Sequence, residues 1–78
     1  MRFLKKDPFR VTLSSPWGRE KAALGIWRVD YTEIIDFDPF YRIVATPIFG
    51  VRDRALFYPD EVARLSALEL LALEAGGN

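Results

Sequence analysis

Asp30, Glu33, Asp36 and Asp38 are the densest group of chemically capable side chains in this 78-residue sequence. If Ile26–Asp38 is a strand, Asp36 and Asp38 stand about 7 Å apart on one face. Two carboxylates so placed can hold a hard cation such as Mg2+ or Ca2+, with water completing the shell. The plainer reading is a solvated strand face on which Asp38 shapes a turn before Pro39, and we adopt it. Beyond these acids the chemistry is thin. There is no histidine and no cysteine, so the usual general base, the thiolate nucleophile and the commonest metal ligands are missing. Ser14, Ser15 and Ser66 have no histidine to activate them, and no glycine-rich phosphate loop occurs. The sequence predicts a noncatalytic protein with no metal and no cofactor.

Nucleic-acid recognition has more behind it. Trp17, Trp27, Tyr31, Phe40 and Tyr41 are interspersed with Arg10, Arg28 and Arg42, and small β-barrels bind single strands by stacking bases on aromatics flanked by cations. The charge is also divided along the chain. Residues 1–28 carry seven basic side chains against two acidic ones, a net +5, and residues 29–78 carry four against nine, a net −5. Either the halves neutralise one another, within a domain or between subunits, or the basic half forms a surface of Lys5, Lys6, Arg10 and Arg28 for nucleic acid. Trp27 and Tyr31 lie on the apolar face of their strand, where core is the ordinary reading, and the acids opposite would repel phosphate. Nucleic acid is therefore the alternative and protein the expected partner.

The protein-partner reading comes from the C-terminal segment. Pro59 ends an aromatic run, Asp60 can cap a helix, and Gly76-Gly77 can stop it, which predicts helix over 60–75. At 100° per residue its leucines point in almost every direction, with Arg64, Glu69 and Glu74 as isolated charges. A helix apolar nearly all round is covered on more than one side. Val62, Leu65, Leu68 and Ala72 are expected to pack on the chain's own sheet, leaving Ala67, Leu70, Leu71 and Glu74 for a second copy or another protein. The competing arrangement encloses the helix within the chain's own barrel.

The elements that must position this helix read as follows. Residues 1–8 form a basic arm, expected to be a loose lead-in. Phe9–Ser14 alternates apolar and polar, as a half-buried strand does. Ser15 can cap a short helix beginning at Pro16 and ending before Gly25, or 16–24 is a loop. Ile26–Asp38 keeps period two, except that Glu33 and Ile34 are exchanged, which signals a bulge or register break there. Phe40–Thr46 pairs back on it as a hairpin, Pro47 sets an end or an edge, and Arg54–Tyr58 supplies a fourth strand.

The stretch Ala55-Leu-Phe-Tyr-Pro-Asp-Glu-Val-Ala-Arg-Leu65 resembles the closing strand and following turn of SH3-like barrels. That resemblance concerns fold and implies no function. The expected architecture is a single α+β domain: a strongly bent antiparallel sheet of about four strands over 9–58, open or curled into an SH3-like barrel, with a C-terminal helix.

Composition agrees with a globular chain, 50% apolar and 28% charged. No apolar run is long enough for a membrane span or a signal peptide, which reads as a cytoplasmic protein. Glutamine is absent, Asn78 is the single asparagine, and eight arginines stand against three lysines, a bias that suggests a source from a hot environment. A domain this small buries only about 60% of its unfolded surface, so a homo-oligomer or a protein partner would add stability.

Overall fold

The computed structural model describes residues 2–34, 41–49 and 52–76. Strand β1 (Pro8–Val11) leads through helix α1 (Pro16–Ala22) to β2 (Ile26–Ile34) and β3 (Tyr41–Pro47). Next come β4 (Ala55–Phe57), a 3-10 turn (Pro59–Glu61), β5 (Val62–Arg64) and helix α2 (Ala67–Gly76). The five strands make one antiparallel sheet in the order β4-β3-β2-β1-β5. It is an α+β fold with a C-terminal helix, as the patterning predicts.

The sheet does not close into a barrel, because β4 and β5 are both edges and do not pair. The intervening turn satisfies its own donors: Glu61 N–H donates to the Tyr58 carbonyl and Tyr58 N–H to Glu61 Oε1. The Glu61 carbonyl then accepts from Thr12 N–H, which sends β5 onto β1. The sheet is nevertheless strongly bent. Four strand spacings would put the edges of a flat sheet about 19 Å apart, whereas the five steps from Phe57 to Val62, three of them in a tight turn, cover only about 13 Å. The concave side so formed is the core.

Trp27, Phe9, Phe57, Ile43 and Val29 fill that side and are almost completely buried. Phe57 meets three aromatic rings, those of Phe9, Trp27 and Trp17, at 5.6, 5.0 and 5.4 Å. The Trp27 indole N–H donates to the Lys21 carbonyl at 3.0 Å, so the core's largest ring carries no unmet polar group. Among the described residues no polar or charged side chain is buried.

Of the two readings of 16–24, the helix is correct. Ser15 Oγ accepts from Gly18 N–H at 3.0 Å, Pro16 occupies the first turn, and Gly25 with φ +86° leads out beyond Ala23. Gly18 lies so close to β1's continuation that a Cβ there would be 2.4 Å from the Leu13 carbonyl oxygen. Leu13, Ala22 and Leu24 pack against the core beneath it.

The bulge in β2 lies earlier than the pattern suggests. Val29 pairs with Ala45 and Tyr31 with Val44, so the extra residue falls at Asp30. Everything after it changes face, and Tyr31, expected on the core side, is exposed. Pro47 is the last residue of β3, the end expected of it, although β3 is an inner strand of the sheet. Hydrogen bonding alternates along the ladder, Ile48 N–H donates to Ile26 across β2, and Pro47 pairs with Trp27. Its missing N–H faces away from β2, beyond the end of β4, where no ladder bond is lost. The Asp36–Asp38 pair and the Asp38-Pro39 turn lie outside the described residues.

The basic arm is anchored, not loose. Phe3 is buried edge-to-face on Phe9 at 5.8 Å, and its N–H donates to the Tyr41 hydroxyl at 3.1 Å. Leu4 to Asp7 form a tight turn in which Asp7 N–H donates to the Leu4 carbonyl, with Lys6 at φ 72°. The turn is fastened to β2 by Lys6 N–H to the Val29 carbonyl and Val29 N–H to the Asp7 carbonyl.

Candidate interaction surface

Helix α2 spans Ala67–Gly76, starting well after the beginning of the predicted 60–75. Val62 and Leu65 are buried as expected, but from β5 and the link to the helix, because Val62, Ala63 and Arg64 pair with Val11, Arg10 and Phe9. Ser66 opens the helix with a reciprocal pair: Glu69 N–H donates to Ser66 Oγ at 3.2 Å and Ser66 N–H to Glu69 Oε1 at 3.1 Å. Leu68 and Ala72, expected on the sheet, are both exposed, Leu68 at 79%. No residue of α2 is buried.

What α2 does against the sheet is form one wall of a groove of about 750 Å³. Leu70, Leu73, Glu74 and Gly76 line it from the helix, Lys6, Asp7, Pro8 and Arg28 from the arm and the first two strands, and Ile48 and Phe49 from the end of β3. Phe49 is 56% exposed there. An ion pair helps fix the helix over the sheet, Arg10 Nε donating to Glu69 Oε2 at 2.6 Å. The Ser66 N–H, and after it the Arg10 guanidinium, hold the Glu69 carboxyl below its ordinary range.

Two sets of residues predicted separately thus face each other. Of the expected protein interface, Leu70 and Glu74 line the groove, while Ala67 and Leu71 are exposed on the helix, Leu71 at 62%. Of the residues named for nucleic acid, Lys6 and Arg28 line the opposite wall, and Arg28 donates to the Lys6 carbonyl at 2.8 Å. Arg10 is joined to Glu69, and Lys5 is exposed on the turn before the groove. Asp7 is engaged by Leu4 N–H at 2.7 Å and by Arg64 at 3.3 Å. Sequence reasoning missed Pro8, Ile48, Phe49 and Leu73; nothing local marks them, since folding alone brings them together.

Elsewhere the acids of β2 are committed to neighbours. Asp30 accepts from Thr46 Oγ1 at 2.7 Å and stands 3.4 Å from Arg54, and Glu33 pairs with Arg42 at 2.7 Å. Among the described residues, no group of three acidic side chains is arranged to hold a metal ion. No described helix is long and apolar enough to cross a membrane. Comparison of the chain with protein-family models, with curated proteins and with solved structures finds no match.

Proposed function

We propose that this protein is a noncatalytic interaction module, a small subunit or adaptor that associates with a protein partner through α2 and the groove beside it. One observation carries the reading: α2 has four leucines in ten residues and buries none of them. Exposed leucines of this density on a small chain mark a contact surface. The nucleic-acid alternative is weakened by the ion pair that already holds one of its cations, Arg10, to Glu69.

Placing a photo-crosslinking residue at position 71 in the full chain, in cells that express it, tests the reading. Light should give a discrete protein adduct from position 71 and none from Asp60, which is exposed on the 3-10 turn. No adduct from 71, or the same adducts from both positions, would overturn it.

A further inference from the structure

The unmet charges around α2 identify the partner, and the argument rests on the interaction-module reading above. At 100° per residue, Leu68, Leu71, Ala72 and Ala75 share a stripe facing away from Leu70 and Leu73, which line the chain's own groove. Glu69 and Glu74 flank this outer stripe at about 110° on either side, and α2 holds no basic residue. The helix therefore presents apolar surface between two acids. The groove presents the converse: apolar Phe49, Ile48 and Pro8 beside the cations Lys6 and Arg28, the acid on the same wall, Asp7, being held by Arg64.

Within one chain these charges do not meet. Among the described residues, neither Lys6 nor Arg28 is ion-paired, and neither is Glu74, although all three line the same groove from opposite walls. A helix laid into the groove brings residues about 100° from its buried stripe to the rim, which is where Glu74 would reach Lys6 and Arg28. We propose that a second copy of this chain is the occupant. Each α2 lies along the groove of the other copy, Leu68 and Leu71 inward, with Glu74 at the rim against Lys6 and Arg28. The contact is isologous, so every interaction occurs twice, and the part of the divided charge not already paired within the chain, as Arg10 is with Glu69 and Lys21 with Asp53, is offset between copies.

Sedimentation of the purified full chain and its variants tests this. The wild type should be a dimer, and Leu71→Asp a folded monomer, because Leu71 is exposed within the chain. Lys6→Glu and Glu74→Lys should each weaken the dimer about tenfold or more by placing like charges together twice. An equimolar mixture of these two variants should form a heterodimer of near wild-type affinity, since each contact then joins opposite charges. An intrachain role for the same residues would give no rescue on mixing. A monomeric wild type at millimolar concentration, a dimer indifferent to both reversals, or failure of the mixture to reassociate would overturn the proposal. A monomeric chain that still crosslinks another protein from position 71 would overturn the second-copy assignment and leave the interaction-module reading standing.

Discussion

The ring of Phe57 meets that of Phe9 edge to face at 5.6 Å, although their strands lie three places apart in the sheet and would be about 14 Å apart if it were flat. This contact closes the concave side where no hydrogen bond joins the edges. Phe57→Ala should cost about 3–5 kcal/mol, a large share of the roughly 4–12 kcal/mol expected for a domain of this length. Urea unfolding followed by the fluorescence of Trp17 and Trp27 measures it. A loss below about 1 kcal/mol would show that the fold does not depend on this seam.

Gly18→Ala improves intrinsic helix propensity by about 1 kcal/mol, yet its new Cβ meets the Leu13 carbonyl at 2.4 Å. Backbone cannot yield as a side-chain tip can, so overpacking wins and the variant should be less stable by about 1–3 kcal/mol overall. A rise in the melting temperature would contradict the packing of α1 on the chain after β1.

Lys6 adopts φ 72° in the turn that fastens the arm to β2, a conformation that disfavours side chains bearing a Cβ by about 1–2 kcal/mol. Lys6→Gly should raise stability by a few tenths to about 1 kcal/mol, after the greater chain entropy of glycine is deducted. Lys6→Val should lower it. Comparing the melting temperatures of the two variants checks the sign.

Glu69 links the helix start to the sheet, and its carboxyl is depressed below the ordinary 4.5 chiefly by the Ser66 N–H and then by Arg10. A depressed acid stabilises fully above its unfolded value and loses that contribution as the pH falls through its folded value. The docking of α2 should therefore loosen below about pH 4.5, seen as faster amide exchange in 67–76 than in the strands. Glu69→Gln should loosen the helix at neutral pH and flatten that acid dependence.

A fluorescent single-stranded oligonucleotide should show no appreciable binding to the chain at low salt, where counterion release favours association most. Tight, salt-sensitive binding abolished by Lys5→Ala with Lys6→Ala would instead support the nucleic-acid alternative.

The sheet was legible where periodicity is local. The β2–β3 hairpin follows from alternation, and even the bulge left its trace, because Glu33 and Ile34 are out of phase. Its position reads late because Tyr31, an aromatic with a polar tip, fits the apolar face on paper while standing exposed in the fold. The missed strand β5 is a different matter. Val62–Arg64 is drawn out of helix by Phe9–Val11, more than fifty residues earlier, and no window along the chain encodes that pairing. The true helix start was written in the sequence as Ser66-x-x-Glu69, a capping signal outweighed by the stronger-looking Pro59-Asp60. The groove was half legible: its leucines and its cations each stood out, but their meeting is a property of the tertiary fold.

Leaving the sheet open carries a hazard that its dimensions contain. By the alternation of the ladder, β4 turns only the Leu56 amide and carbonyl outward, and β5 those of Val62 and Arg64. A foreign strand arriving at either side finds a template three residues long, too brief to hold it. Fibre growth is thus discouraged by shortness alone, and the molecule can keep a sticky helix without becoming a seed for amyloid.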